Sequence, residues 1–273
     1  MALRRSRSLV RGGQMAVLLL CAGGLVRGCS TAFATEVERG GAPRDEPAVD
    51  PQAIKALEEM GAFLRSLPAF EVEAETTTDE VLDSGQKVQL SADADIRVRR
   101  PDRLRVDIKS DRKQRQFWYD GKTFTVNGPK GGYYASFDAP PTLAETVSVA
   151  EQRYGVELPL VDLFYWGTDK SGINDIQSAI DVGPATIEGV ETEQYAFRQK
   201  GVDWQLWIQK GDQPLPRKLV ITSTKDPAQP QHVAVLDWDL KPDVGDTVFA
   251  FTPPADSHRI LFDASQPRSG RSP

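Results

Sequence analysis

The sequence predicts a mainly β protein of the α+β type: a long, mostly antiparallel sheet with an N-terminal helix and a helical insertion in mid-chain. Apolar and polar residues alternate with a period of two over most of the chain from Phe70 onward, which is the pattern of half-buried strands. Turn residues separate these runs, and few segments have helical spacing. A sheet of so many strands has to curl or close.

The first 34 residues have the pattern of a secretory signal peptide. A basic start is followed by the short apolar run Met15–Val26 and by Ala32-Phe33-Ala34, which fits an A-x-A cleavage site. Cys29 offers lipoprotein processing as an alternative, although Arg27 is unusual at its position in such signals. The expectation is a periplasmic protein, anchored to the inner or outer membrane if Cys29 is lipidated.

Charge and cysteine content narrow the possible partners. Residues 1–34 hold five arginines and no acidic residue, so the remaining chain has 28 basic against 39 acidic residues and a formal net charge of −11. This charge disfavours nucleic acid, because phosphate neutralisation supplies most of that affinity. Both cysteines, Cys21 and Cys29, lie in the targeting segment, so no disulfide is expected in the mature chain. We expect a monomer.

A single domain is expected over residues 50–262, between a disordered spacer at 35–49 and a disordered tail at 263–273. Asp50-Pro51 predicts the start of the N-terminal helix, with Asp as N-cap and Pro in the first turn. Asp120-Gly121 predicts a tight hairpin. Thr142 to Glu145 form a capping box, which opens a helical insertion at about 141–180. The last predicted strand is 247–251.

Catalytic and metal-binding patterns are scarce in this sequence. Its two histidines, His232 and His258, stand apart, whereas zinc sites usually draw on several His and Cys ligands. No nucleophile-elbow, zincin or P-loop motif is found. We therefore predict no catalytic residue, no metal site and no cofactor. Alternating acids such as Glu71, Glu73 and Glu75 fit a solvated strand face.

Two sets of residues are candidates for binding. Apolar residues at inward-alternating positions could line a hydrophobic cavity or could fill a conventional core, and periodicity does not separate the two. These candidates are Leu90, Ile96, Val98, Leu104, Val106, Phe124, Val126, Trp204 and Leu206. A basic strand pair could form a solvated face that protects the sheet edge. Together with an aromatic residue expected on the opposite face from Trp204, it could instead be a docking patch for anionic lipid head groups or an acidic partner. This patch contains Arg97, Arg99, Arg103, Arg105 and Trp207.

Several segments together resemble a known family. They are Phe117–Lys122 (FWYDGK), Trp204–Ile208 (WQLWI) followed by Leu215–Lys218 (LPRK), and Phe249–Pro254 (FAFTPP). The sequence is similar here to the periplasmic family catalogued as domain of unknown function 2092 (DUF2092). That family in turn resembles the lipoprotein-carrier superfamily of LolA, LolB, LppX and RseB. The resemblance covers roughly residues 50–260, and no individual functional residue is carried over from it.

The resemblance implies a LolA-like unclosed β-barrel whose concave face is covered by helices and holds acyl chains. The function expected is therefore non-enzymatic binding of a lipid, a lipoprotein acyl chain or another hydrophobic ligand, with transient contact to a membrane surface or an envelope protein. An envelope sensor or interaction module on the same scaffold is the first alternative. An envelope hydrolase is the second.

Overall fold

The computed structural model describes residues 48–262. The predicted signal peptide at 1–34, Cys29, most of the spacer at 35–49 and the tail at 263–273 lie outside these residues. Residues 48–262 contain three α-helices: α1 (Pro51–Ser66), α2 (Leu143–Tyr154) and α3 (Asp162–Tyr165). The strands are β1 (Ala69–Val81), β2 (Lys87–Arg99), β3 (Arg103–Lys109), β4 (Gln114–Tyr119), β5 (Thr123–Gly128), β6 (Tyr133–Asp138), β7 (Ser178–Ile187), β8 (Val190–Gln199), β9 (Val202–Gln209), β10 (Pro216–Ser223), β11 (Gln231–Asp239) and β12 (His258–Arg259).

The described strands form one open sheet in the order β12-β6-β5-β4-β3-β2-β1-β11-β10-β9-β8-β7. Strands β1 to β6 run outward from the middle as an antiparallel meander. The chain then crosses to the opposite edge, and β7 to β11 run back until β11 pairs with β1. Only the short β12 pairs in parallel, with β6, among these strands. The prediction of an unclosed, mostly antiparallel sheet is confirmed.

Local signals placed several elements correctly. The Asp50 side chain accepts a hydrogen bond from the Gln52 backbone nitrogen at 2.8 Å and caps α1, as predicted. The Asp120 carboxylate accepts from the backbone nitrogens of Lys122 and Thr123, which closes the β4–β5 hairpin. Thr142 caps α2 by accepting from the backbone nitrogen of Glu145.

Two segments differ from their predicted structure. The helical pieces of the insertion end at Asp175, and β7 begins at Ser178, inside the predicted range of 141–180. Ser178 and Ala179 are strand residues because they pair with Arg198 and Phe197 of β8. The expected strand at 247–251 is instead a 3₁₀ turn, Asp246–Phe249, followed by extended chain. This turn places the Phe249 ring in a fully buried position. A strand at 247–251 would instead need a neighbouring strand with which to pair.

The core lies between one face of the sheet, here called the inner face, and the three helices. From α1 it includes Leu57, Met60 and Leu64; from α2, Leu143, Val147 and Ala150; from α3, Leu163 and Phe164. The opposite, outer face is mostly polar on β1 and β2, where Glu71, Glu73, Glu75, Asp93 and Asp95 alternate with buried residues. Within residues 48–262, no helix has the length and apolar character needed to cross a membrane.

Candidate ligand-binding face

Eight of the nine residues predicted to line a cavity lie in or against the core on the inner face of the sheet. Six of the nine are buried, namely Ile96, Val98, Leu104, Val106, Phe124 and Leu206. Val126 and Trp204 are half-buried and pack against the same core. Leu90 lies farther along β2, outside that cluster, and is partly exposed. Side chains of α1, α2 and α3 belong to the same buried cluster, so the helices pack directly on this part of the inner face.

A backbone contact between two glycines joins α1 to the chain that follows α3. A Cβ atom added to Gly61 would lie 2.7 Å from the backbone nitrogen of Gly167 and 2.9 Å from its Cα. Gly167 has φ +75°, a conformation that side chains rarely adopt. Because neither residue has a side chain, α1 and this loop meet at backbone distance.

Polar contacts tie α2 to α3. The Tyr165 hydroxyl donates a hydrogen bond to Glu151 at 2.6 Å. Burial and the neighbouring Glu151 carboxylate raise the pKa of Tyr165, so the phenol stays a donor at neutral pH. The last residue of α2, Tyr154, stacks on the sheet, with its ring 4.3 Å from the Phe137 ring, centroid to centroid. The cover formed by α2 and α3 is thus internally bonded.

Two arginines stand where the three helical pieces converge, and sequence reasoning did not single them out. Arg100, in the β2–β3 turn, donates to the Leu64 carbonyl oxygen in the last turn of α1 at 3.3 Å. The next residue, Pro101, accepts a hydrogen bond from the first residue of α2, Leu143. The guanidinium of Arg65 in α1 lies against Gly167 and occupies the space that a Cβ atom there would need. These contacts join residues far apart in the sequence, so no local signal could have indicated them.

The arginines of the predicted docking patch are all engaged by their own chain. Arg97 bonds to Glu71 and Asp95, and Arg103 bonds to Asp102. Arg99 donates to the Val244 carbonyl oxygen and pairs with Asp246. Arg105 pairs with Asp107 and donates to the Val248 carbonyl oxygen. Arg99 and Arg105 therefore hold the C-terminal segment (residues 240–262) against the outer face.

The fifth residue of the predicted patch lies elsewhere on the sheet. Trp207 is in β9, and β10, β11 and β1 separate that strand from the arginines of β2. It pairs with Lys218 on the outer face, opposite Trp204 as predicted, and the Lys218 Nζ atom lies 4.9 Å from its ring centroid. The structure does not bring Trp207 together with the basic strand pair.

The outer face carries two open clefts. One, of about 380 Å³, lies between β4–β6 and the C-terminal segment, with Trp118, Tyr134 and Phe251 among its lining residues. The other, of about 500 Å³, is lined mainly by carboxylates, including Glu73, Asp93 and others on neighbouring strands. Within the described chain, no group of three or more His, Cys, Asp or Glu residues could hold a metal ion.

The two histidines lie apart. His232 bonds through Nδ1 to the Thr78 hydroxyl at 2.8 Å, and burial lowers its pKa. His258 is in β12, at the other end of the strand order, and its ring lies 5.9 Å from that of Tyr133.

The comparison with protein families decides the classification of the chain. The model of the family described as "Predicted periplasmic protein (DUF2092)" matches residues 53–263. The chain belongs to the DUF2092 family. The resemblance inferred from the FWYDGK, WQLWI and FAFTPP segments is thereby confirmed. No curated protein sequence matches this DUF2092 chain.

Solved structures similar to this DUF2092 protein are distant in sequence. LprF from Mycobacterium bovis is 17% identical, with a TM-score of 0.44 over 78% of this chain and 100% of that one. The lipoprotein LppX from Mycobacterium tuberculosis is 14% identical, with a TM-score of 0.44 over 72% and 100%. A LolA superfamily protein from Nitrosomonas europaea is 11% identical, with a TM-score of 0.37 over 73% and 97%.

Proposed function

We propose that the protein is a non-catalytic periplasmic binder of a hydrophobic ligand, such as a lipid or an acyl chain, which it holds between the inner face of the sheet and the helices. The observation that carries this proposal is the mismatch between the two layers. In the part of the chain that the structure describes, an apolar face spread over many strands is covered by three α-helices, one of which has four residues. Such a cover can separate from the sheet without unpairing a strand.

The way the cover is held supports this proposal. Helix α1 meets the loop after α3 through a backbone contact between Gly61 and Gly167, and α2 is hydrogen-bonded to α3 through Glu151 and Tyr165. Moving the helices therefore breaks few side-chain bonds to the strands. Because side chains of all three helices pack against the inner face, uptake of a ligand between the two layers requires the helices to move outward and expose apolar surface, which the ligand then covers.

Two tryptophans on the same strand provide a matched test. Trp204 faces the inner layer and Trp207 the outer face, three residues apart on β9. A fatty acid brominated in its chain should quench the tryptophan fluorescence of the mature protein. The quenched fraction should fall in Trp204→Phe and remain in Trp207→Phe. Absence of quenching, or an equal loss in both variants, would show that the inner face does not bind the chain.

A further inference from the structure

Arg100 is a cation that the described chain does not neutralise. Its Nε atom is buried and has no hydrogen-bond partner among residues 48–262. Its single described side-chain bond, from Nη2 to the Leu64 carbonyl oxygen, is long at 3.3 Å. A guanidinium has five N–H donors in a fixed fork. Arg100 as a whole is half-buried, and a buried donor of a charged group that has no partner costs free energy.

The charge acting on Arg100 from nearby is a second cation. Burial, and then the positive charge of Arg65, lower the pKa of Arg100, and no carboxylate contributes to this shift. The Arg65 side chain is exposed and lies against Gly167. One arginine is enough to bond the last carbonyl groups of α1. Capping of this helix therefore does not explain why a second arginine, which repels the first, lies beside it.

The position of this pair is at the margin of the inner layer. Leu64 and Leu143, the residues bonded through their backbones to Arg100 and Pro101, are both buried in the core. Gly167 adjoins the buried Trp166 of the loop after α3. An apolar chain lying in the core layer could thus reach the Arg65–Arg100 pair at this margin without crossing a strand.

We infer that Arg65 and Arg100 bind the anionic head group, a carboxylate or a phosphate, of an amphiphile whose acyl chain occupies the inner layer. The inference rests on the proposed function and specifies its ligand class. Arginine forks match carboxylate and phosphate oxygens in bidentate geometry. A head group bound here supplies the counter-charge that Arg100 lacks, while the exposed Arg65 meets it from solvent.

The test compares ligands that share an acyl chain and differ in head-group charge. Binding of palmitate, palmitoyl lysophosphatidate and methyl palmitate to the mature protein is measured by displacement of a brominated fatty acid. We expect the two anionic ligands to bind roughly ten- to hundredfold more tightly than the ester. A preference for palmitate or for lysophosphatidate distinguishes a carboxylate from a phosphate ligand.

Variants assign the preference to the two arginines. Arg65→Gln, at an exposed position, should reduce the preference for anionic ligands and leave the affinity for methyl palmitate unchanged. Arg100→Lys, which keeps the charge and removes the fork, should reduce it as well. Arg112→Gln removes an equal charge from an exposed turn and should have no effect.

The outcomes separate this inference from the proposed function. If all three ligands bind equally, or if Arg112→Gln reduces the preference as much as Arg65→Gln does, the head-group site is refuted and the apolar site stands. If none of the three binds, both are refuted.

Discussion

Replacing Gly61 by alanine has two effects of opposite sign on the free energy of unfolding. Gly61 lies inside α1, where alanine favours the helix by roughly 0.5–1 kcal/mol over glycine. The new Cβ would, however, stand 2.7 Å from the Gly167 nitrogen. The two backbones have to separate by about 0.7 Å to restore an ordinary contact. Since overpacking typically costs about 1–3 kcal/mol, we expect Gly61→Ala to lower the free energy of unfolding by about 1 kcal/mol.

The neighbouring residue provides the control for this prediction. Ala62 is exposed in the same helix, so Ala62→Gly changes helix propensity alone and should destabilise by roughly 0.5–1 kcal/mol. Urea unfolding followed by tryptophan fluorescence measures the free energy of unfolding of both variants. In a thermal melt, a change of 1 kcal/mol corresponds to a shift in melting temperature of about 2–4 °C for a domain of this size. If Gly61→Ala stabilises the protein by the propensity amount, the close contact between α1 and Gly167 is wrong.

Two further predictions concern the outer face. Phe249→Ala removes a fully buried ring and should lower the free energy of unfolding by about 3–5 kcal/mol. Leu261→Ala, at a position with 87% exposure, should change it by less than about 0.5 kcal/mol. If urea unfolding gives equally small losses for the two variants, the packing of the C-terminal segment is contradicted. Burial raises the pKa of Asp95, and Glu71 and Asp107 add to the rise while Arg97 opposes it. The folded state therefore favours protonated Asp95, whose stabilising contribution is full below pH 3.8 and is lost as the pH rises through the folded pKa. The Asp95→Asn variant does not lose this stability, so its free energy of unfolding relative to the unmodified protein should rise between about pH 3 and pH 7. If urea unfolding gives the same difference between the two proteins at every pH, the prediction is wrong.

Sequence reasoning succeeded where the determining interactions are local. The caps at Asp50 and Thr142 and the turn at Asp120-Gly121 each depend on bonds spanning two or three residues. The alternation of Val98, Leu104 and Val106 likewise placed them on the inner face, because the strand period fixes the side of the sheet. Family membership followed from short segments with a characteristic spacing.

Sequence reasoning failed where the partner is distant in the chain. Arg99 pairs with Asp246, which is 147 residues away in the sequence. The local pattern therefore indicated an exposed basic surface, whereas the C-terminal segment covers part of it. Arg100 was one arginine among many in that stretch, and only the convergence of α1, α2 and Gly167 distinguishes it. The 3₁₀ turn at Asp246–Phe249 has an alternating pattern that a strand would share.

The strand order also determines how the cover can move. The segment that carries α2 and α3 leaves the sheet at β6 and rejoins it at β7, the far edge strand. The first turn of α1 is tied to that same edge through the Asp50 nitrogen and the Ala179 carbonyl oxygen, while its other end continues into β1 in the middle of the sheet. Both covers are tethered at two ends, so an outward movement of either one leaves its ends in place and opens a gap along the segment between them. A gap of that kind is long and narrow, which favours a thin, extended molecule over a bulky one.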